Sequence, residues 1–179
     1  MGGKPQPGSK GWCRTSSVGR HRSARLAAVQ ALYQIEIGGA DFGDVVQEFF
    51  DHRIDGQGED AAPTDKRLFG ELVNGVSVGL TELDALIAPM LDKGRVPERL
   101  ETVLRCILRL AAFEFTQRAQ VPARVVISEY VGLTSKFFSG NEPSMANGVL
   151  DHLAREVRPG EFDAAQETAG GGAEEQEAG

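Results

Sequence analysis

Apolar residues along this chain recur at spacings of three and four, the period of helices packed on one side, and nowhere alternate singly as in a half-buried strand. The densest run is PERLETVLRCILRLAAFEFTQR, from Pro97 to Arg118. Between Leu100 and Phe115 it has four charged residues, Glu101, Arg105, Arg109 and Glu114, and the first three share one narrow stripe of a helix. The rest of the circumference is apolar or small, which predicts a central helix enclosed by others. Charges interrupt it well short of the roughly 20 apolar residues that a bilayer requires, so a membrane span is not expected.

The other elements follow in order. Ala24, Ala27, Ala28, Ala31, Leu32 and Ile35 form one buried stripe of a first helix beginning near Arg20 to Ser23 and closed by Gly38-Gly39. Its small residues predict close approach to a neighbour. Asp41 to Ile54 predicts a second helix on Val45, Val46, Phe49 and Phe50, followed by a polar loop over Asp55 to Pro63. Thr64 is a candidate cap for a third, with Leu68, Phe69, Leu72, Val73 and Val76 inward. Asn74-Gly75 and Gly79 interrupt its extension through Leu80, Leu83, Leu86 and Ile87, so the segment reads as one bent helix or two. Val121-Pro122 opens a further helix with Val125, Val126, Val131 and Leu133 inward. Asn141 is a candidate cap for the last, from Glu142 to about Val157.

Composition adds ends to this all-α body. Residues 1–19 are rich in Gly, Ser, Lys and Pro, and residues 160–179 are too poor in apolar side chains to fold, so both read as disordered around a helical domain over 20–159. The formal charge of −7 argues against a protein that coats nucleic acid indiscriminately. Charge is also unevenly spread. Residues 1–35 hold six Lys or Arg and no acid, whereas residues 160–179 hold six acids and no base. That polarity predicts a local anion site at the head, and the tail invites a second idea, that it shields the head. The plainer reading of the tail is solubility.

Chemistry of a catalytic kind is not expected. Cys13 and Cys106 do not read as a bridge, and two unpaired thiols with no apolar leader fit a reducing cytoplasm. His52 beside Asp51 and Asp55 lacks a second histidine at ligand spacing, and His152 has no Cys or His near it. No cofactor is implied. At the head, Arg20, His21, Arg22 and Arg25 can pair with phosphates through bidentate guanidinium forks, or can serve only as a basic, solubilising terminus. Cations at a helix start oppose its dipole, which favours an external anion. Trp12 either stacks on a base or is incidental.

Three stretches in order, RLAAVQALYQIEI (Arg25 to Ile37), VLRCILRLAAFEF (Val103 to Phe115) and VISEYVGLTSKF followed by NGVLD (Val126 to Asp151), resemble the NusB family of bacterial transcription antitermination factors. The resemblance covers Arg20 to about Pro159. It implies two packed three-helix bundles, no catalysis, and a heterodimer with the ribosomal protein NusE. Such a pair binds the boxA element of ribosomal RNA leader transcripts within the RNA polymerase antitermination complex. Related helical domains precede RNA cytosine methyltransferases, but the acidic tail leaves no expected room for that second domain.

The resemblance also assigns residues. Arg20, Arg22 and Arg25 fall in the family's arginine-rich RNA-binding arm, although His21 and Ser23 stand where arginines are more usual. Arg109 matches an RNA-facing arginine; its alternative is an ion pair along the stripe of Glu101 and Arg105. Asn141, Ser144 and Met145 form the third RNA patch, at a helix start where free N–H groups suit phosphate. The family commonly has a cation and an aromatic at the last two positions, and a lost stacking ring costs roughly 1–3 kcal/mol. Asn147 and Gly148 read as structural, the glycine allowing close helix packing. Tyr33 matches a NusE-facing tyrosine, and Glu98 and Glu101 an acidic stretch suited to a basic partner, or to the dipole of their own helix. A protein-only adaptor on the same scaffold, with weak or no RNA binding, is the competing function.

Overall fold

A computed structural model describes residues 17–54, 63–92 and 94–163, with the side chains of residues 53 and 54 excepted. Trp12, Cys13, Asp55 and the tail from residue 164 lie outside the described residues. The helices are α1 (Ser17–Gly38), α2 (Phe42–Glu48), α3 (Lys66–Val78), α4 (Leu80–Ile87), α5 (Thr102–Gln117), α6 (Ala123–Phe137) and α7 (Glu142–Val157). Among the described residues there is no strand.

The chain is all-α, and α5 is its axis. It packs against α1 and α3 on one side and against α6 and α7 on the other, so that two three-helix bundles share it, with α4 laid alongside. Leu104, Cys106, Ile107, Leu108, Leu110, Ala111, Ala112 and Phe115 are all buried, as a helix apolar around its circumference requires. The small side chains Ala24, Ala28 and Ala31 let α1 approach closely. Gly75 does the same for α3: a Cβ there would sit 2.1 Å from the Phe113 ring.

Several local expectations need correction. α1 starts at Ser17, so Arg20, Arg22 and Arg25 all stand on regular helix. Asp65, and not Thr64, caps α3, its carboxylate accepting from the Leu68 N–H at 2.9 Å. Of the two readings left open after α3, that of two helices holds, with the break at Gly79. Val125 and Leu80 point outward; Tyr130 and Thr134 take up the inward face of α6 instead. Asn141 gives α7 no side-chain cap. Gly148 faces open space, so close packing does not account for it. The body also continues past Pro159: Phe162 is buried, and Glu161 accepts from the Ala123 N–H at 2.7 Å. An aromatic in an otherwise polar segment supplied enough apolar surface for one more turn.

Candidate nucleic-acid and partner interfaces

The arginines of α1 divide by depth. Arg25 is 4% exposed and grips Glu114 through Nε at 2.7 Å and Nη2 at 2.9 Å. The Tyr130 hydroxyl donates to the same carboxylate at 2.8 Å. Burial works against the Arg25 cation, but the hydrogen bonds and charge of Glu114 outweigh it and hold the pKa above an arginine's ordinary value. One turn earlier, Arg22 forks onto Glu129 at 3.2 and 2.9 Å, and Glu129 also lies 3.6 Å from Arg25. The Arg22 side chain keeps 54% of its surface in water. Arg20 is exposed and its charge acts on Asp65, from which His21 lies 3.3 Å. The basic head is therefore locally neutralised at Arg22 and Arg25.

Arg109 is not on an exposed stripe. It is 8% exposed, bound bidentately by Asp84 at 2.7 and 2.6 Å and by Glu36 at 3.0 Å. Its pKa is raised: burial opposes the cation and Asp84 more than restores it. Arg105 also meets Glu36, and its Nη1 donates to the carbonyls of Pro97, Glu98 and Leu100. Glu36 near the end of α1 and Asp84 on α4 thus cover the stripe, and the alternative pairing along it with Glu101 is not made. Cys106 lies beneath, its thiol pushed up to about 12 by burial and the neighbouring Glu36 charge. The arginine head and Arg109 do not meet in one corner. Arg25 meets Glu114 and Arg109 meets Asp84, on faces of α5 set five residues apart, where successive residues turn about 100°.

At the start of α7, Asn141, Ser144 and Met145 line an open depression with Arg95, Arg99, Gly148 and His152. Arg95 Nη1 reaches the Met145 sulfur at 2.9 Å, and Arg99 is exposed. The loop before α5 thus brings cations beside the two positions where the α7 sequence has none. Asp92, Glu101 and Glu142 share the depression, so its charge is mixed.

The candidate Tyr33 lies toward the opposite end of α1. Tyr33, 40% exposed, lines an apolar groove of about 460 Å³ with Val29, Ile37, Val103 and Phe137. Glu98 and Glu101 are exposed but do not line this groove; Glu101 lines the α7 depression instead. Glu101 also caps α5, accepting from the Leu104 N–H at 3.2 Å. An apolar groove of this kind suits a protein surface. Among the described residues no group of three or more His, Cys, Asp or Glu is placed to hold a metal ion.

Residues 22–155 match the model of the NusB family. The chain belongs to that family. Among curated relatives it is 46% identical to the transcription antitermination protein NusB of Maricaulis maris over 144 residues, 79% of this chain and 89% of that one. It is 41% identical to the NusB of Rhodopseudomonas palustris (strain BisB18), over 88% of this chain and 92% of its relative. A structure of T. maritima NusB shares the fold with a TM-score of 0.65 at 28% identity, covering 79% of this chain and 96% of that one. A second similar structure, antitermination factors NusB and NusE in complex with double-stranded RNA, gives a TM-score of 0.62 at 25% identity, over 75% and 96% of the two chains.

For a member of the NusB family, the residues that sequence reading missed are mostly acids. Glu114 and Glu129 anchor the arm, and Glu36 and Asp84 enclose Arg109. Glu114 carried the one available signal, a charge off the polar stripe of an otherwise apolar helix, which must be paired to be buried. Arg95 and Arg99 gave no signal, because only folding sets their loop against α7.

Proposed function

We propose that this chain is a transcription antitermination factor that binds boxA-type RNA together with NusE in the RNA polymerase antitermination complex. The observation that carries the reading is the family match over 22–155, joined to a fold shared with the NusB of a NusB–NusE–RNA complex. Arg20 and Arg22 on the outer side of α1, and Asn141, Ser144 and Met145 with Arg95 and Arg99 at the start of α7, meet phosphate and base. Arg25 and Arg109 act from behind, holding α1 and α4 on α5, because their guanidinium groups are already saturated by carboxylates. NusE docks on the Tyr33 groove, with Glu98 and Glu101 facing its basic surface. The chain works without catalysis, cofactor or membrane, in the cytoplasm; no helix among the described residues is long and apolar enough to cross a bilayer.

A boxA RNA titrated with protein alone and with NusE tests this. Affinity rises with NusE, falls in the Arg20→Ala/Arg22→Ala variant, and declines with salt in proportion to the phosphates engaged. The protein-only adaptor is favoured by one observation, the mixed charge of the α7 depression with Met145 at its base. It is the correct reading if NusE binds at the Tyr33 groove while RNA affinity is absent with and without NusE.

A further inference from the structure

We propose that Glu129 is the resident anion of the RNA-binding arm, occupying the fork of Arg22 that a phosphate must take over, and so sets how tightly the arm holds RNA. The inference rests on the proposed role of Arg22. The contact is side-on: Nε and Nη2 of Arg22 both donate to the carboxylate, the geometry in which guanidinium also recognises phosphate.

The two arginines that meet Glu129 depend on it unequally. Arg25 has its own bidentate partner in Glu114 and lies 3.6 Å from Glu129. Arg22 has no other partner among the described residues, so the Glu129 carboxylate spends its hydrogen bonds chiefly on Arg22. The pair is also asymmetric in depth, with the Arg22 side chain 54% exposed and that of Glu129 10% exposed. Glu129 is held by the packing of α6, whereas Arg22 is free to swing outward. When it does, the carboxylate retains the Arg25 cation beside it, so release leaves no isolated buried charge. Exchange of a carboxylate for a phosphate on Arg22 is thus cheap, while the same exchange at Arg25 would strip Glu114 of its fork.

The test compares binding of a boxA RNA oligonucleotide by full-length Glu129→Gln, Arg22→Ala, the double variant and Glu82→Gln, each with NusE present. Glu82 is exposed on α4, and its replacement changes net charge equally without releasing an arginine. Glu129→Gln binds about two- to fivefold tighter, the range of a partly exposed ion pair, and the gain vanishes in the double variant while Glu82→Gln stays near wild type. Equal gains in Glu129→Gln and Glu82→Gln, or no gain in either while Arg22→Ala weakens binding, overturn the competition and leave the arm's role standing. Wild-type affinity in Arg22→Ala overturns the arm's role itself. Should Glu129→Gln fail to fold, Glu129→Asp retains the charge beside Arg25 and shortens its reach to Arg22; unchanged affinity there also overturns the competition.

Discussion

The Glu114 carboxylate receives two nitrogens of the Arg25 guanidinium at 2.7 and 2.9 Å in a place that water does not reach. This contact ties α1 to α5 across the middle of the first bundle. Glu114→Gln leaves a buried cation short of its counter-charge and lowers stability by about 3–5 kcal/mol, read by urea unfolding. Replacing both residues with apolar side chains of similar volume recovers most of that loss. A double variant as unstable as the single one would show that the pair is not the source of the effect.

Two glycines of this chain respond to alanine in opposite directions. At Gly75 the new Cβ meets the Phe113 ring, so Gly75→Ala destabilises by about 1–3 kcal/mol despite alanine's better helix propensity. At Gly148 nothing lies within 4 Å, and Gly148→Ala stabilises by about 0.5–1 kcal/mol. Thermal melts of the two variants, with Phe113→Ala added to the first, check both signs; the added change relieves the overlap.

Cys106 is buried against Glu36, and its thiol titrates near 12. The thiolate is the reactive form, so the native protein resists alkylation at neutral and mildly alkaline pH. Labelling of Cys106, followed by peptide mass, proceeds at the rate of unfolding and accelerates in urea. Rapid labelling of the folded chain would contradict the burial.

Glu161 accepts from the Ala123 N–H and pairs with Arg158, and these contacts hold its pKa below the ordinary carboxylate value. The folded state therefore favours the ionised acid. Its stabilisation is complete above the ordinary value and fades as pH falls through the lowered one. The stability difference between wild type and Glu161→Gln should shrink from about pH 6 to about pH 3. A difference independent of pH would assign the effect to packing.

How much of this was legible depended on whether a residue's role is local. The enclosed run at Val103 to Phe115, the alanine stripe of α1 and the extent of α7 follow from spacing alone, because burial of one helix face is a periodic property. Arg109 defeats that logic. Its spacing from Glu101 and Arg105 fits a polar stripe equally well in water or under a cover, and the cover comes from Glu36 and Asp84, 73 and 25 positions away. The arm failed similarly: Arg22 and Arg25 carry the same charge and neighbour the same turn, yet one lies at the surface and the other meets Glu114 within. Phe162 was overlooked because one aromatic has no period.

Arg158 donates to the carbonyls of Glu114 and Phe115 at the end of α5 and of Val121 at the approach to α6, while Glu161 accepts the first amide of α6. The corner between these helices is thereby stapled from both sides and is mechanically stiff. A second protein that seats itself on this body therefore meets α5 and α6 at a fixed angle.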